Sequence, residues 1–253
     1  MRGSTLLAGI FSANPLLALA RPPAAPVALS GSAWVDVDAS GKAHVVEMGK
    51  LSPLSDVPGL APVVQRIDDR LRAAIESWQF VPATRDGVAT ASPTHVAVSM
   101  EATDDGAGGM AVRLLSVGTG AGLRDMDMAP LVRAVTLSQT EGLVKLQLTY
   151  AADGSISSAE LLESHEFRKG RFIGVANSVL RRKAVAAAAS WRLAPETVDG
   201  IPRAGVGSIT LVFCLTPQCV QAPRADGEGQ ASPQFASTDP AVRLRTPIAG
   251  TAL

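Results

Sequence analysis

Apolar and polar residues alternate along this chain with two different periods, and the order in which those periods appear occurs twice. Residues 33–37 and 43–48 are short apolar runs either side of Asp38-Ala39-Ser40-Gly41, a pattern that predicts two strands joined by a glycine turn. Farther on, Val144, Leu146, Leu148 and Tyr150 share one face and Leu143, Lys145 and Gln147 the other, and Asp153-Gly154 follows, which predicts a half-buried strand entering a hairpin. The period then lengthens. Leu60, Val63, Val64, Ile67, Leu71, Ala74, Ile75 and Trp78 recur three or four apart, with Arg66, Asp68, Asp69, Arg70, Arg72 and Glu76 between them, so an amphipathic helix of about five turns is expected. Residues 172–191 form its counterpart, with Leu180, Ala184, Ala187 and Ala188 on the apolar face and Arg181, Arg182 and Lys183 facing outward.

Each helix runs into a tryptophan and then a proline four positions later, which cannot continue a helix and forces its predecessor to extend. Ser77-Trp78, Pro82, Thr84 and Asp86-Gly87 recur as Ser190-Trp191, Pro195, Thr197 and Asp199-Gly200, each pair as far apart as residues 78 and 191, and Gly41 and Gly154 keep the same register. A repeat without gaps means two copies of one small unit. Residues 95–100 and 208–215 alternate as final strands. The expected fold class is therefore α+β: two tandem β-β-α-β units, each an antiparallel sheet packed on one helix, over residues 30–100 and 128–216. Between them, residues 101–127 are acidic and glycine-rich at their start and read as a linker, although the apolar stretch 110–117 could extend a sheet. Residues 217–253, rich in Pro, Ala, Gly, Ser and Gln, read as a disordered tail.

Trp78 and Trp191 lie on the apolar helix faces and are expected to pack in the core, with Pro82 and Pro195 as helix stops and Gly87 and Gly200 as turn residues. With 23 basic and 23 acidic side chains in 253 residues there is no basic excess to attract nucleic acid or an anionic membrane. Arg2, the apolar residues 6–19 and Ala18-Leu19-Ala20 read as an export signal over residues 1–20, cleaved before Arg21, with no stable membrane span afterwards. The two cysteines, Cys214 and Cys219, then suit a disulfide, a local clip worth about 2 kcal/mol. His44, His95 and His165 have no metal-pair spacing, residues 118–122 resemble a phosphate loop only in composition, and no hydrolase pattern appears. No catalytic residue, cofactor site or metal site is assigned, and a binding protein is expected in place of an enzyme.

These features carry a resemblance. A hairpin, a helix ending in Trp78-Gln79-Phe80-Val81-Pro82-Ala83, then Gly87 and a last strand is similar to the C-terminal domain of TonB energy-transducing proteins; the second copy has Trp191-Arg192-Leu193-Ala194-Pro195, with Glu196 in place of the alanine. The resemblance implies a cell-envelope protein whose sheet captures a strand of an outer-membrane partner. The chain departs from that family's plan by carrying two units and only a short proline-rich stretch after residue 20. The leading expectation is an exported, periplasmic module that recognises a protein partner of the periplasm or outer membrane by strand addition. The edge assigned is Ser208, Ile209, Thr210, Leu211, Val212 and Phe213, or residues 95–100 in the first copy. Energy transduction for outer-membrane transport through a retained N-terminal anchor is the alternative, and a homodimer stays open.

Overall fold

The structure, a computed structural model, describes residues 26–52, 54–56, 59–105, 110–138, 141–166, 173–213, 235–245 and 248–253. The expected signal sequence and the Cys214–Cys219 clip lie outside the described residues. In chain order the elements are β1 (Val27–Val37), β2 (Ala43–Met48), a short 3-10 turn, α1 (Ala61–Ser77), β3 (Phe80–Val81), β4 (Ala83–Arg85), β5 (Val88–Thr90), β6 (Ser92–Asp104), β7 (Met110–Gly120) and β8 (Gly122–Asp125). There follow α2 (Ala129–Ser138), β9 (Gly142–Tyr150), β10 (Ile156–Glu166), α3 (Ile173–Ala188), β11 (Arg192–Ala194), β12 (Thr197–Val198), β13 (Ile201–Pro202), β14 (Gly205–Phe213), β15 (Phe235–Ser237) and β16 (Arg243–Leu244).

The protein is α+β, with antiparallel strands throughout. Its two main sheets have the orders β2-β1-β6-β7 and β10-β9-β14-β15. In each, a hairpin is followed by a helix and by a strand that returns beside the first, the element order expected from the repeat. Helix α1 starts at Ala61-Pro62, where the proline's missing N–H costs nothing in the first turn, and stops where Trp78 turns extended at φ −73° and ψ 151°. Ile67, Leu71 and Ile75, one turn apart, face the first sheet and are buried. Trp191 is fully buried and its indole N–H reaches the Asp127 carbonyl at 3.3 Å.

The repeated glycines and aspartates have local causes. Gly41 and Gly154 sit at φ 84° and 80°, and a Cβ on either would lie 2.1 or 2.0 Å from the carbonyl oxygen of Phe80 or Leu193. That closeness serves a bond: Phe80 N–H donates to Gly41 C=O and Leu193 N–H to Gly154 C=O, both at 2.9 Å, tying the segment after each tryptophan to its hairpin. Asp86-Gly87 and Asp199-Gly200 all have positive φ and form the tight turns of the β4–β5 and β12–β13 hairpins.

Three expectations need correction. The segment read as a linker is not one: residues 110–117 extend the sheet, as their apolar run allowed, within β7, a fourth strand beside β6, while β6 runs on to Asp104 and β8 pairs with β11 of the second unit. Helix α2 was not expected; Leu131 and Val135, one turn apart, bury it beside α3. The tail is ordered where the structure describes it. Phe235 lies in the core of the second unit and Val242, with 0% exposure, in that of the first.

Glu196, the residue that breaks the repeated motif, makes the joint. It is 3% exposed; its carboxylate accepts from Thr94 Oγ1 of the first unit at 2.7 Å and from the tail's Ala241 N–H at 2.7 Å. The first copy has buried Ala83 at this position. At the surface, Arg85 pairs with Asp199, so the two tight turns meet.

Candidate strand-addition edges

An antiparallel sheet offers a foreign strand only the backbone groups that no neighbour uses, so the site is defined by how each outer edge is closed. Among the described residues no strand of one main sheet pairs with a strand of the other.

The assigned edge is partly taken. Strand β14 pairs with β9 along its whole length, and on its other side Gly207, Ser208 and Ile209 pair with β15 of the chain's own tail. Thr238 extends this contact, its N–H and Oγ1 both reaching the Val206 carbonyl at 2.9 Å. Ser208 and Ile209 are therefore not edge residues. Beyond them Thr210, Leu211, Val212 and Phe213 have no described strand on that side, and Ile209, Leu211 and Phe213 point into the core. Residues 95–100 of the first copy are interior, because β6 lies between β1 and β7 over that whole stretch. His95 rests on Trp34, ring centroids 5.1 Å apart, and burial depresses its pKa to about 4.

The outer side of β7 is closed by the end of the chain. Leu114 N–H donates to Thr251 C=O at 2.9 Å, Gly250 N–H to Leu114 C=O at 2.7 Å and Leu253 N–H to Val112 C=O at 2.9 Å. The tail thus covers one edge of each sheet, and between them β16 pairs with β3.

The outer side of β2 is capped at Val45 by side chains. Glu76 Oε1 accepts the Val45 N–H at 3.2 Å, and Arg72 donates to the Val45 carbonyl at 3.0 Å. Both residues belong to the polar stripe of α1. Beside them Asp68 has its pKa raised, by burial first and then by the neighbouring Asp69 carboxylate.

The outer side of β10 is different. Among the described residues no strand pairs with it, and the positions that match Arg72 and Glu76 in the repeat register are Val185 and Ala189, which carry no hydrogen-bonding side chain. Bulges at Ile156/Ser158 and Leu161/Glu163 divide β10 into straight runs, one of them Ser158–Leu161. Between α3 and this edge is a groove of about 380 Å³ lined by Leu161, Arg181, Arg182, Val185 and Ala186. Leu162, at the bulge, is 52% exposed. Nothing in the sequence pattern singled β10 out, because alternation identifies a strand and not whether its flank is covered.

His44 is exposed beside Glu76 and His165 beside Glu163, and among the described residues no cluster of three His, Cys, Asp or Glu side chains could hold a metal ion. No helix among them is long and apolar enough to cross a membrane. No family model matches the chain, and no curated protein or solved structure does either.

Proposed function

We propose that this protein is an exported module of the cell envelope, similar to the TonB C-terminal domain, that works by protein–protein recognition through strand addition, with the outer edge of β10 as the accepting strand. One observation carries the reading. Of the flanks of the two main sheets, β2 is capped at Val45 by Arg72 and Glu76, β7 is paired with residues 250–253 and the first half of β14 with β15, while β10, eleven residues long, is the longest outer strand without a described partner. Backbone pairing needs no special side chain, which suits a chain in which no catalytic constellation was identified. The apolar residues 6–19 support export to the periplasm.

The test is positional. A photo-crosslinking residue at Leu162, on β10, should capture a defined envelope protein, and one at the equally exposed Val46, on β2, should not. Val185→Arg with Ala189→Glu, which transfers the first copy's edge cap to the second, should abolish the Leu162 crosslink. Crosslinks that persist in the capped variant contradict the reading. So do crosslinks from Val46 alone.

A further inference from the structure

The groove beside β10 supplies side-chain chemistry to an edge that otherwise offers only backbone, and the two copies differ there in charge as well as in cap. The repeat register puts Arg181 and Arg182 at the positions of Asp68 and Asp69, and Val185 at that of Arg72. Among the described residues no carboxylate lines the groove, and its apolar lining is Leu161, Val185 and Ala186. Register then separates the two faces of β10. Leu161 lies opposite Leu146 and Ser164 opposite Val144, on the face covered by α3. Glu160 lies opposite Gln147 and Glu163 opposite Lys145, on the other face. The Ser164 hydroxyl is buried and has no hydrogen-bond partner among the described residues.

Resting on the strand-addition reading of this edge, we infer that β10 accepts an extended segment of a partner protein with two-faced side chains: an apolar residue flanked by carboxylates toward α3, and basic or neutral residues toward Glu160 and Glu163. The alternation of a strand makes this a definite pattern. Side chains at every second position enter the groove, where the apolar one covers Leu161 and Val185 and a carboxylate meets the Arg182 guanidinium. The positions between them pass over the glutamates, where a further carboxylate would be repelled. Slipping the incoming strand by one residue exchanges the faces as whole sets, so it cannot turn an unsuitable segment into a suitable one.

Two labelled synthetic peptides of identical composition test this on the full chain. One has leucine and aspartates on one face and lysines on the other; its isomer has leucine and lysines together and the aspartates opposite. Fluorescence anisotropy should show the first binding at least about tenfold more tightly, and Arg182→Glu should erase or reverse that preference, as expected for a charge at the rim of an interface. Val185→Arg with Ala189→Glu should abolish binding of both. Equal binding of the two isomers, still lost in the capped variant, overturns the side-chain inference and leaves strand addition standing. No binding of either up to about 1 mM, the weak end of specific association, overturns both. A chain that sediments as a dimer and becomes monomeric in the capped variant also overturns the inference, since the edge would then hold a second copy.

Discussion

Strands β2 and β10 occupy the same place in two copies of one unit, yet among the described residues their outer flanks are covered differently. The first is six residues long and has the N–H and C=O of Val45 held by Glu76 and Arg72; the second is eleven residues long, and the positions that match those caps in the repeat are Val185 of α3 and Ala189 just past its end. The buried stripes match, Leu71 and Ile75 in one copy and Ala184 and Ala188 in the other, and the copies differ at the positions beside them, charged in the first and apolar in the second. A duplicated unit therefore keeps its core and its turns while its helix surface decides whether the sheet edge is shut.

The largest expected effect comes from opening an edge that the tail closes. Removing residues 240–253 deletes buried Val242, the backbone pairing along Val112 and Leu114, and a partner of Glu196. Stability should fall by about 4 kcal/mol or more, from one buried valine and several hydrogen bonds. The truncated chain should also self-associate through bare β7, which denaturant titration and sedimentation would show. A truncated chain as stable as the parent would mean that the tail rests on the edges without closing them.

Next comes His95, which tests whether the face of β6 against Trp34 is buried. Its folded pKa is lowered from 6.5 to about 4 by burial. Between those values the unfolded chain binds more protons, so stability is complete above pH 6.5 and declines as pH falls toward 4, by about 3 kcal/mol at most. His95→Gln should flatten that part of the pH profile of urea midpoints. An unchanged profile would place the imidazole in water and contradict its packing on Trp34.

Glu196→Ala should cost about 2 kcal/mol, because the Thr94 hydroxyl and the Ala241 N–H lose their acceptor. Thermal melts measure this, and a variant as stable as the parent would mean that Glu196 holds no joint. The smallest effect is expected from Arg72→Val with Glu76→Ala, which gives the first copy the helix surface of the second. Stability should drop by about 1 kcal/mol, and β2 should gain the capacity to pair, seen as concentration-dependent sedimentation. If β2 stays inert without its cap, the difference between the copies lies elsewhere.

Much of the fold could be read from local signals. Trp78 and Trp191 on apolar stripes, Pro82 and Pro195 as stops, and Asp-Gly turns at 86–87 and 199–200 each answer to physics within a few residues, and the repeat assembled them into units. The tail escaped because its pairing uses backbone: Phe235 and Val242 are two apolar anchors among Pro, Ser and Gly, too sparse to form a period. Strand β7 sits behind an acidic, glycine-rich stretch that imitates a linker. The candidate site was legible only as a mechanism. Ser208–Phe213 alternates as a strand should, but whether a strand is an edge depends on what the rest of the chain lays beside it, and here Ser208 and Ile209 face β15. Arg72 and Glu76 looked like a solvated helix face because periodicity does not record that their ends reach Val45.

Residue-resolved amide hydrogen exchange on the full chain tests the central claim most directly. The Val45 amide, held by Glu76, should exchange slowly. The amides of Ser158–Leu161 that point away from β9 should exchange rapidly although they belong to a folded sheet, and should slow in the Val185→Arg, Ala189→Glu variant. Outward amides of β10 already as protected as Val45 in the unaltered protein would contradict the account, since the edge would then be closed.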